Sequence, residues 1–288
     1  DYLKQEKLFN KGNTPTFNQQ NEKYVKLFVS LPFLSRQKAE FGIGIARLED
    51  QYFQTNVIDF ENDKRDASNY TIFGGSVALD GNTLNSKQFA TSGRRERLSA
   101  HIYTGKETFY VGANPNETQN DYKYIQSWLQ LCYELERYYQ LKPNIALGTY
   151  LKAFYSSRNF SNNYRATMMQ AGEFAPTAHS KITYNEAFRA NQFIGAGITP
   201  IYQLNSVFHI RAGLYGFAPI FPILEDNSHK AYYGKLFSRI EYFGELSMVI
   251  RLPFGSISGY VNYYSSPRRN WNAGLSLGWQ LFGNRFME

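Results

Sequence analysis

Residues 274–278, Gly-Leu-Ser-Leu-Gly, match the pattern G-x-S-x-G, in which a serine on a sharp turn attacks acyl or phosphoryl esters. That chemistry requires a strand, a tight turn and a following helix whose N-terminal amides face the oxyanion. Ser276 instead lies within a strict alternation of apolar and polar residues that continues on both sides of it. The alternation predicts a small residue on the polar face of a strand, so Ser276 is not assigned a catalytic role.

Other residues with catalytic or ligating side chains are equally isolated. Ala178, His179 and Ser180 place a hydroxyl beside an imidazole, but adjacency within a loop does not show that the two groups can reach each other. The four histidines are too scattered in sequence to indicate metal ligation: His101, His179, His209 and His229. We predict no catalytic residue, no metal and no cofactor in this chain.

Along most of the chain, apolar and polar residues alternate with a period of two, which is typical of β-strands. Near the end of the chain, Trp271, Leu275 and Leu277 share one face, and Asn272 and Ser276 share the other. About eleven such strands are predicted, within residues 24–34, 38–52, 68–80, 95–110, 127–141, 144–156, 192–204, 207–214, 240–252, 256–265 and 270–282.

The connections between these strands alternate between short and long, as in bacterial outer-membrane barrels. Aromatic residues make up 17% of the chain, with 23 Tyr and 23 Phe, and no apolar run approaches the ~18 residues of a membrane-spanning helix. The strands of a soluble β-sandwich or lipocalin-like barrel also alternate apolar and polar residues, but their polar face is rich in Lys, Glu and Thr. On the polar faces of the strands predicted in this chain, Gly, Ser, Asn and Tyr are frequent. The predicted fold is therefore an all-β antiparallel transmembrane β-barrel.

The charge balance of the chain indicates which partners it can bind. The chain has 31 Lys and Arg against 24 Asp and Glu, a formal net charge of +7, and its basic clusters are short. Short clusters are typical of solvated loops or a barrel rim, so no nucleic-acid partner is predicted.

The single cysteine, Cys132, cannot form a disulfide within the chain. The chain begins at Asp1 without an initiator Met or apolar leader, as expected for a mature or truncated product.

Two groups of charged residues are candidate site residues. The first group lies on the polar faces of the strands and is predicted to face the lumen of the barrel. Its members are Arg97, Lys152, Arg211 and Arg251 with Glu134, Glu136, Glu241 and Glu245. They could form a charge network that closes the barrel, or line an ion-selective passage. The second is Arg268 and Arg269, predicted in the last outer loop, where they could contact lipopolysaccharide phosphates.

One stretch, residues 79–109, resembles a known family. Its strand, Asn-rich turn and following strand are similar to the bacterial surface-antigen barrels of the BamA/TamA type, and more closely to the barrel of patatin-like outer-membrane proteins. Residues 48–56 and 227–264 are similar to the same narrower group, and the similarity extends over nearly the whole chain.

The resemblance implies a sixteen-stranded barrel preceded by a patatin domain and a connecting domain. Residues 1–22 would be a partial strand or linker, residues 23–288 the C-terminal part of the barrel, and the catalytic domain would lie outside this chain. A complete barrel of twelve strands remains an alternative, with residues 2–9 as the additional strand. The resemblance also implies that the 157–191 connection folds into the lumen. There the Arg-Gly-aromatic tip of the assembly factors is absent and only Arg165 is a candidate lumen contact.

The resemblance implies an integral outer-membrane domain that anchors, and possibly exports or positions, a patatin-like phospholipase. Two alternatives stay open: a complete twelve-stranded transport barrel, and an assembly factor that folds other barrels. The implied partners are outer-membrane lipids and lipopolysaccharide, and possibly other outer-membrane or periplasmic proteins.

Overall fold

The computed structural model describes residues 18–34, 36–53, 65–112, 122–252, 255–265, 270–278 and 286–287. Within them, eleven long strands form one antiparallel sheet in which each strand pairs with the next along the chain. The all-β antiparallel fold and the predicted number of long strands are therefore confirmed. The first and last strands form the two ends of the sheet as described.

The sheet contains β1 (Asn18–Leu34), β2 (Gln37–Tyr52), β3 (Asp66–Asn82), β4 (Gly93–Tyr110), β5 (Tyr122–Lys142), β6 (Ile145–Ser156), β9 (Gln192–Gln203), β10 (Phe208–Pro219), β13 (Glu241–Leu252), β14 (Gly255–Tyr264) and β15 (Trp271–Gly278). Two small two-stranded sheets accompany it: β7 (Gly172–Glu173) with β8 (Arg189–Ala190), and β11 (Ile223–Glu225) with β12 (Ala231–Tyr233). The described residues contain one α-helix, α1 (Tyr164–Gln170), and two short 3-10 helices, Ser180–Ile182 and Glu186–Phe188. In the described part of the chain, no helix is long and apolar enough to cross a membrane.

Several strands start or end away from their predicted bounds. β1 begins at Asn18, so the predicted boundary between residues 22 and 23 falls inside a strand whose first residues pair with residues 48–52. β5 begins at Tyr122, before the predicted start at 127, because it continues to pair with the end of β4. β15 ends at Gly278, whose φ of 95° lies in the left-handed region that favours glycine. The predicted strand residues 279–282 lie outside the described residues.

The alternation of residues separates the sheet into an outer face and an inner face. On β4, the outward Leu98 and Ile102 are exposed, whereas the inward His101 and Tyr103 are buried. The same division holds on β13, where Leu246 and Met248 are exposed while Glu245 and Ser247 are buried. Apolar side chains thus cover the outside, and polar and aromatic ones fill the inside.

Two connections lie against the inner face. The long insert, residues 157–191, joins β6 to β9 and contacts both β1 and β15, the two ends of the sheet. The short insert, residues 83–92, joins β3 to β4 at the opposite end of the strands and contacts β10 and β13. A segment can touch both ends of one sheet only if the sheet curls around it, so the architecture is barrel-like.

Candidate functional site: the filled interior

The long insert is bound to the β1 and β2 wall through α1. The side chain of Asn163 caps the helix by accepting from the Ala166 amide at 2.9 Å, and its Nδ2 donates to the Tyr52 hydroxyl at 2.6 Å. At the other end of α1, Gln170 donates to the buried carboxylate of Asp50. These contacts satisfy the polar groups that α1 brings into the interior.

A second set of contacts binds the insert to the β13 and β14 wall. Thr177 donates to Glu245 Oε2 at 2.6 Å, and His179 Nδ1 lies 3.0 Å from Glu245 Oε1. The other ring nitrogen of His179, Nε2, lies 3.0 Å from the Ser258 hydroxyl, and the ring stacks on Tyr260 at 3.9 Å between centroids. The long insert therefore links strands near the two ends of the sheet.

Aromatic packing fills the space between these two sets of contacts. Phe174 of the insert is buried against Phe193 of β9 and Phe217 of β10, with ring centroids 6.1 and 5.7 Å apart. Phe188 packs against Phe217 and Phe243. The interior is thus closed by a packed core of side chains rather than by a few contacts at its rim.

Gly195 makes the close approach of Phe174 possible. A Cβ at Gly195 would lie 2.1 Å from Phe174 Cε2, so Gly195→Ala is expected to displace the ring and lower the free energy of unfolding by ~1–3 kcal/mol. The control is Gly216→Ala on β10, where a Cβ would have no neighbour within 4 Å. Urea midpoints in detergent micelles compare the two variants, and equal midpoints would contradict the packing.

The short insert closes the interior from the other end of the strands. Arg211 Nη1 donates to the Ala90 carbonyl at 2.8 Å, and Arg251 Nη2 donates to the Phe89 carbonyl at 2.7 Å. The Phe89 ring lies 5.7 Å from the His179 ring of the long insert. The two inserts consequently meet inside the sheet.

The predicted lumen-facing residues lie on the inner face of the strands or, for Arg165, on the buried helix α1. Arg97 pairs with Glu40 at 2.9 Å and Asp80 at 3.0 Å, two carboxylates outside the predicted lumen-facing set. Lys152 lies opposite Glu134 in register and donates to the Glu173 carbonyl at 3.0 Å.

Several predicted charges also have partners outside the predicted set. Glu134 and Glu136 accept from Tyr150 at 2.7 Å and Tyr138 at 2.6 Å, respectively. Glu241 pairs with Arg239 at 2.5 Å, and Arg165 pairs with Glu186 within the long insert. Arginine and carboxylate groups from the strands therefore mainly hold the inserts and neighbouring hydroxyls. Arg268 and Arg269 lie outside the described residues, and their lipopolysaccharide contact stays a prediction.

The end of the chain supplies an interior contact that sequence reasoning missed. Phe286 is buried in a cluster with Leu48, Tyr103 and Trp128, and Gln130 donates to the Met287 carbonyl at 2.6 Å. Nothing in the local sequence distinguishes this phenylalanine from one on the outer face. Its position depends on the β2 to β5 wall, which lies far away along the chain.

The chemistry available in the interior is that of hydroxyl, carboxylate and guanidinium groups and of three buried imidazoles, those of His101, His179 and His209. Among the described residues, no group of three or more His, Cys, Asp or Glu side chains could hold a metal ion. Burial on α1 raises the pKa of Tyr164 to about 12, so its phenol stays neutral at physiological pH. The Glu245, His179 and Ser258 contacts join residues that no sequence motif connects.

Comparison with known proteins adds one structural likeness. No family model matches the chain, and neither does any curated protein. The transport unit of the autotransporter AIDA-I from Escherichia coli is a matching solved structure, with 12% sequence identity, coverage of 91% of this chain and 82% of that chain, and a TM-score of 0.42. The described fold defines an all-β protein with a curled antiparallel sheet and a filled interior.

Proposed function

We propose that the chain is a transmembrane β-barrel domain of the bacterial outer membrane, with its interior closed by the two inserts. The observation that carries the proposal is the inverted polarity of the sheet. The outer face exposes large apolar side chains, including Ile102 on β4, Leu246 on β13 and Leu275 on β15, while Glu245 and His179 are buried inside. In water this arrangement exposes apolar surface at a high cost, whereas in lipid the same surface is favourable.

Aromatic residues at both ends of the outer face support this proposal. Outward-facing Tyr and Trp side chains cluster where the strands meet the long connections, at Tyr110, Tyr155, Tyr242 and Trp271. Tyr139 and Tyr202 lie near the opposite ends of their strands. Girdles of aromatic residues at the two interfaces are typical of membrane barrels.

The finer proposal is that this barrel anchors a patatin-like phospholipase, and possibly exports or positions it. Its support is the sequence resemblance in residues 48–56, 79–109 and 227–264. Outer-membrane lipids and lipopolysaccharide are then its surroundings. The filled interior favours an anchor over an open transport pore, because the long insert binds strands near both ends of the sheet.

Membrane association is tested by producing the chain with a secretion signal in a Gram-negative host. We expect it in the outer-membrane fraction, resistant to carbonate extraction, with faster migration on a gel before heating than after. Recovery as a soluble periplasmic protein would contradict the membrane proposal.

The anchoring proposal has a separate test in the encoding frame. Upstream of Asp1, we expect a segment with G-x-S-x-G between a predicted strand and helix. A frame without such a segment would remove the phospholipase anchor and leave the membrane barrel intact.

A further inference from the structure

We propose that Ser258, His179 and Glu245 form a serine hydrolase centre inside the barrel that cleaves esters with short apolar acyl chains. The Ser258 hydroxyl oxygen lies 3.0 Å from His179 Nε2, and His179 Nδ1 lies 3.0 Å from Glu245 Oε1. A serine nucleophile is activated when a base lies within hydrogen-bond reach of its hydroxyl and a carboxylate orients that base. Ser258, His179 and Glu245 are placed in this order.

The orientation of the imidazole is determined by its partners. A carboxylate only accepts hydrogen bonds, so Nδ1 of His179 donates to Glu245 and Nε2 is left to accept the Ser258 proton. Thr177 holds the second Glu245 oxygen at 2.6 Å, and the Tyr260 ring stacks on the imidazole at an interplanar angle of 15°. The base is therefore fixed in the tautomer and direction that general base catalysis requires.

The wall beside these three residues has unused hydrogen-bonding capacity. Ser247 Oγ and Asn262 Oδ1 are buried and have no hydrogen-bond partner among the described residues. In register, Ser247 lies opposite Tyr260, and Asn262 lies opposite Glu245. Buried polar atoms usually have partners, so we infer that these atoms bind a polar ligand beside the triad. The Ser247 hydroxyl is the donor available to the carbonyl oxygen of an ester.

The short insert covers the triad with a residue in an unfavourable backbone conformation, Phe89. Phe89 places its ring 5.7 Å from the His179 ring while its own backbone has a φ of 51°, a left-handed conformation that is unfavourable for a bulky residue. Arg211 and Arg251 hold the segment by its main-chain carbonyls. Because Phe89 and Tyr260 are aromatic, the group that replaces the Phe89 ring is an apolar acyl chain.

The proposed reaction follows from the three positions. Ser258 Oγ attacks the ester carbonyl carbon while its proton moves to His179 Nε2. The bond between that carbon and the alcohol oxygen breaks, and the alcohol leaves with the proton from His179. Water, deprotonated by His179, then attacks the carbonyl carbon of the acyl-serine. The bond between that carbon and Ser258 Oγ breaks, the carboxylic acid is released, and His179 returns the proton to Ser258 Oγ. Glu245 remains a carboxylate throughout.

The experiment treats the folded full chain in detergent micelles with a fluorophosphonate probe, in which serine oxygen displaces fluoride at phosphorus. We expect covalent labelling at Ser258, identified by peptide mass spectrometry, and hydrolysis of p-nitrophenyl butyrate. Ser258→Ala should abolish both, and His179→Gln should lower the labelling rate by about 100-fold. The control Ser99→Ala changes another buried inner-face serine, on β4, and should label like the unmodified chain.

The covering role of the short insert is tested by Phe89→Gly, which removes the ring and suits the positive φ. This variant should label several-fold faster than the unmodified chain. Circular dichroism and heat-dependent gel migration establish that each variant is folded. If Ser258→Ala does not fold, the mapped labelling site in the unmodified chain decides. No labelling in either the folded unmodified chain or folded Phe89→Gly, or labelling only at another serine such as Ser276, would overturn the proposal.

Discussion

Replacing Ile102 with arginine is expected to prevent most of the chain from inserting into membranes. Ile102 is 66% exposed on the outer face, midway along β4 (Gly93–Tyr110). A charged residue facing lipid at the centre of a barrel costs ~2–4 kcal/mol, and this cost falls to ~0–1 kcal/mol near the interface. The measurement is the fraction of chain with heat-dependent gel migration after refolding into lipid vesicles.

The matched control for Ile102→Arg is Tyr110→Arg. Tyr110 faces outward on the same strand, but it is the last residue of β4. Its substitution should leave the folded fraction close to that of the unmodified chain. Equal loss in both variants would contradict a lipid-facing outer surface, because a general effect of arginine would then explain the result.

Removing the long insert is expected to turn a closed barrel into a conducting one. Tyr155 and Gln192 are register partners, and the Ser156 amide donates to the Asn191 carbonyl at 2.7 Å. The two ends of the insert are thus already adjacent, and a short Gly-Ser linker can replace residues 158–190. The replacement removes α1 and the aromatic side chains that the insert contributes to the interior, Phe174 and Phe188. In planar lipid bilayers, the unmodified chain should show little conductance and the replacement variant stable open channels.

Two controls accompany this replacement. The same linker inserted after Ser206, in the turn between β9 (Gln192–Gln203) and β10 (Phe208–Pro219), should leave the conductance low. Circular dichroism should show that both variants keep their strand content. Low conductance in a folded replacement variant would show that the long insert does not close the interior.

The sequence predicted the strands well because a strand's two faces follow from its local backbone. Successive side chains point to opposite sides, so a period of two in residue type specifies the buried and exposed faces without knowledge of any neighbour. Leu275 and Leu277 face outward and Ser276 inward for this reason. The inward position of Glu245 and Arg251 follows from the same alternation.

The contacts of the inserts were not predictable in the same way. Residues 83–92 and 157–191 have no sustained period, and their positions depend on surfaces that form only when distant strands come together. His179 reaches Glu245 and Ser258 across separations of 66 and 79 residues. The resemblance implied that the long insert folds inward, but not which side chains it meets.

The sequence by itself thus determined the all-β fold, the number of long strands and the face on which each strand residue lies, because these depend on local alternation. Only the tertiary structure decided what the inner face binds. It directed Arg211 and Arg251 to main-chain carbonyls of the short insert rather than to the carboxylates on neighbouring strands. It also placed a serine within reach of a histidine, and that serine is Ser258, the register partner of the Ser276 that the G-x-S-x-G pattern contains. Such proximity depends on how the sheet curls, which the alternation of residue types does not specify.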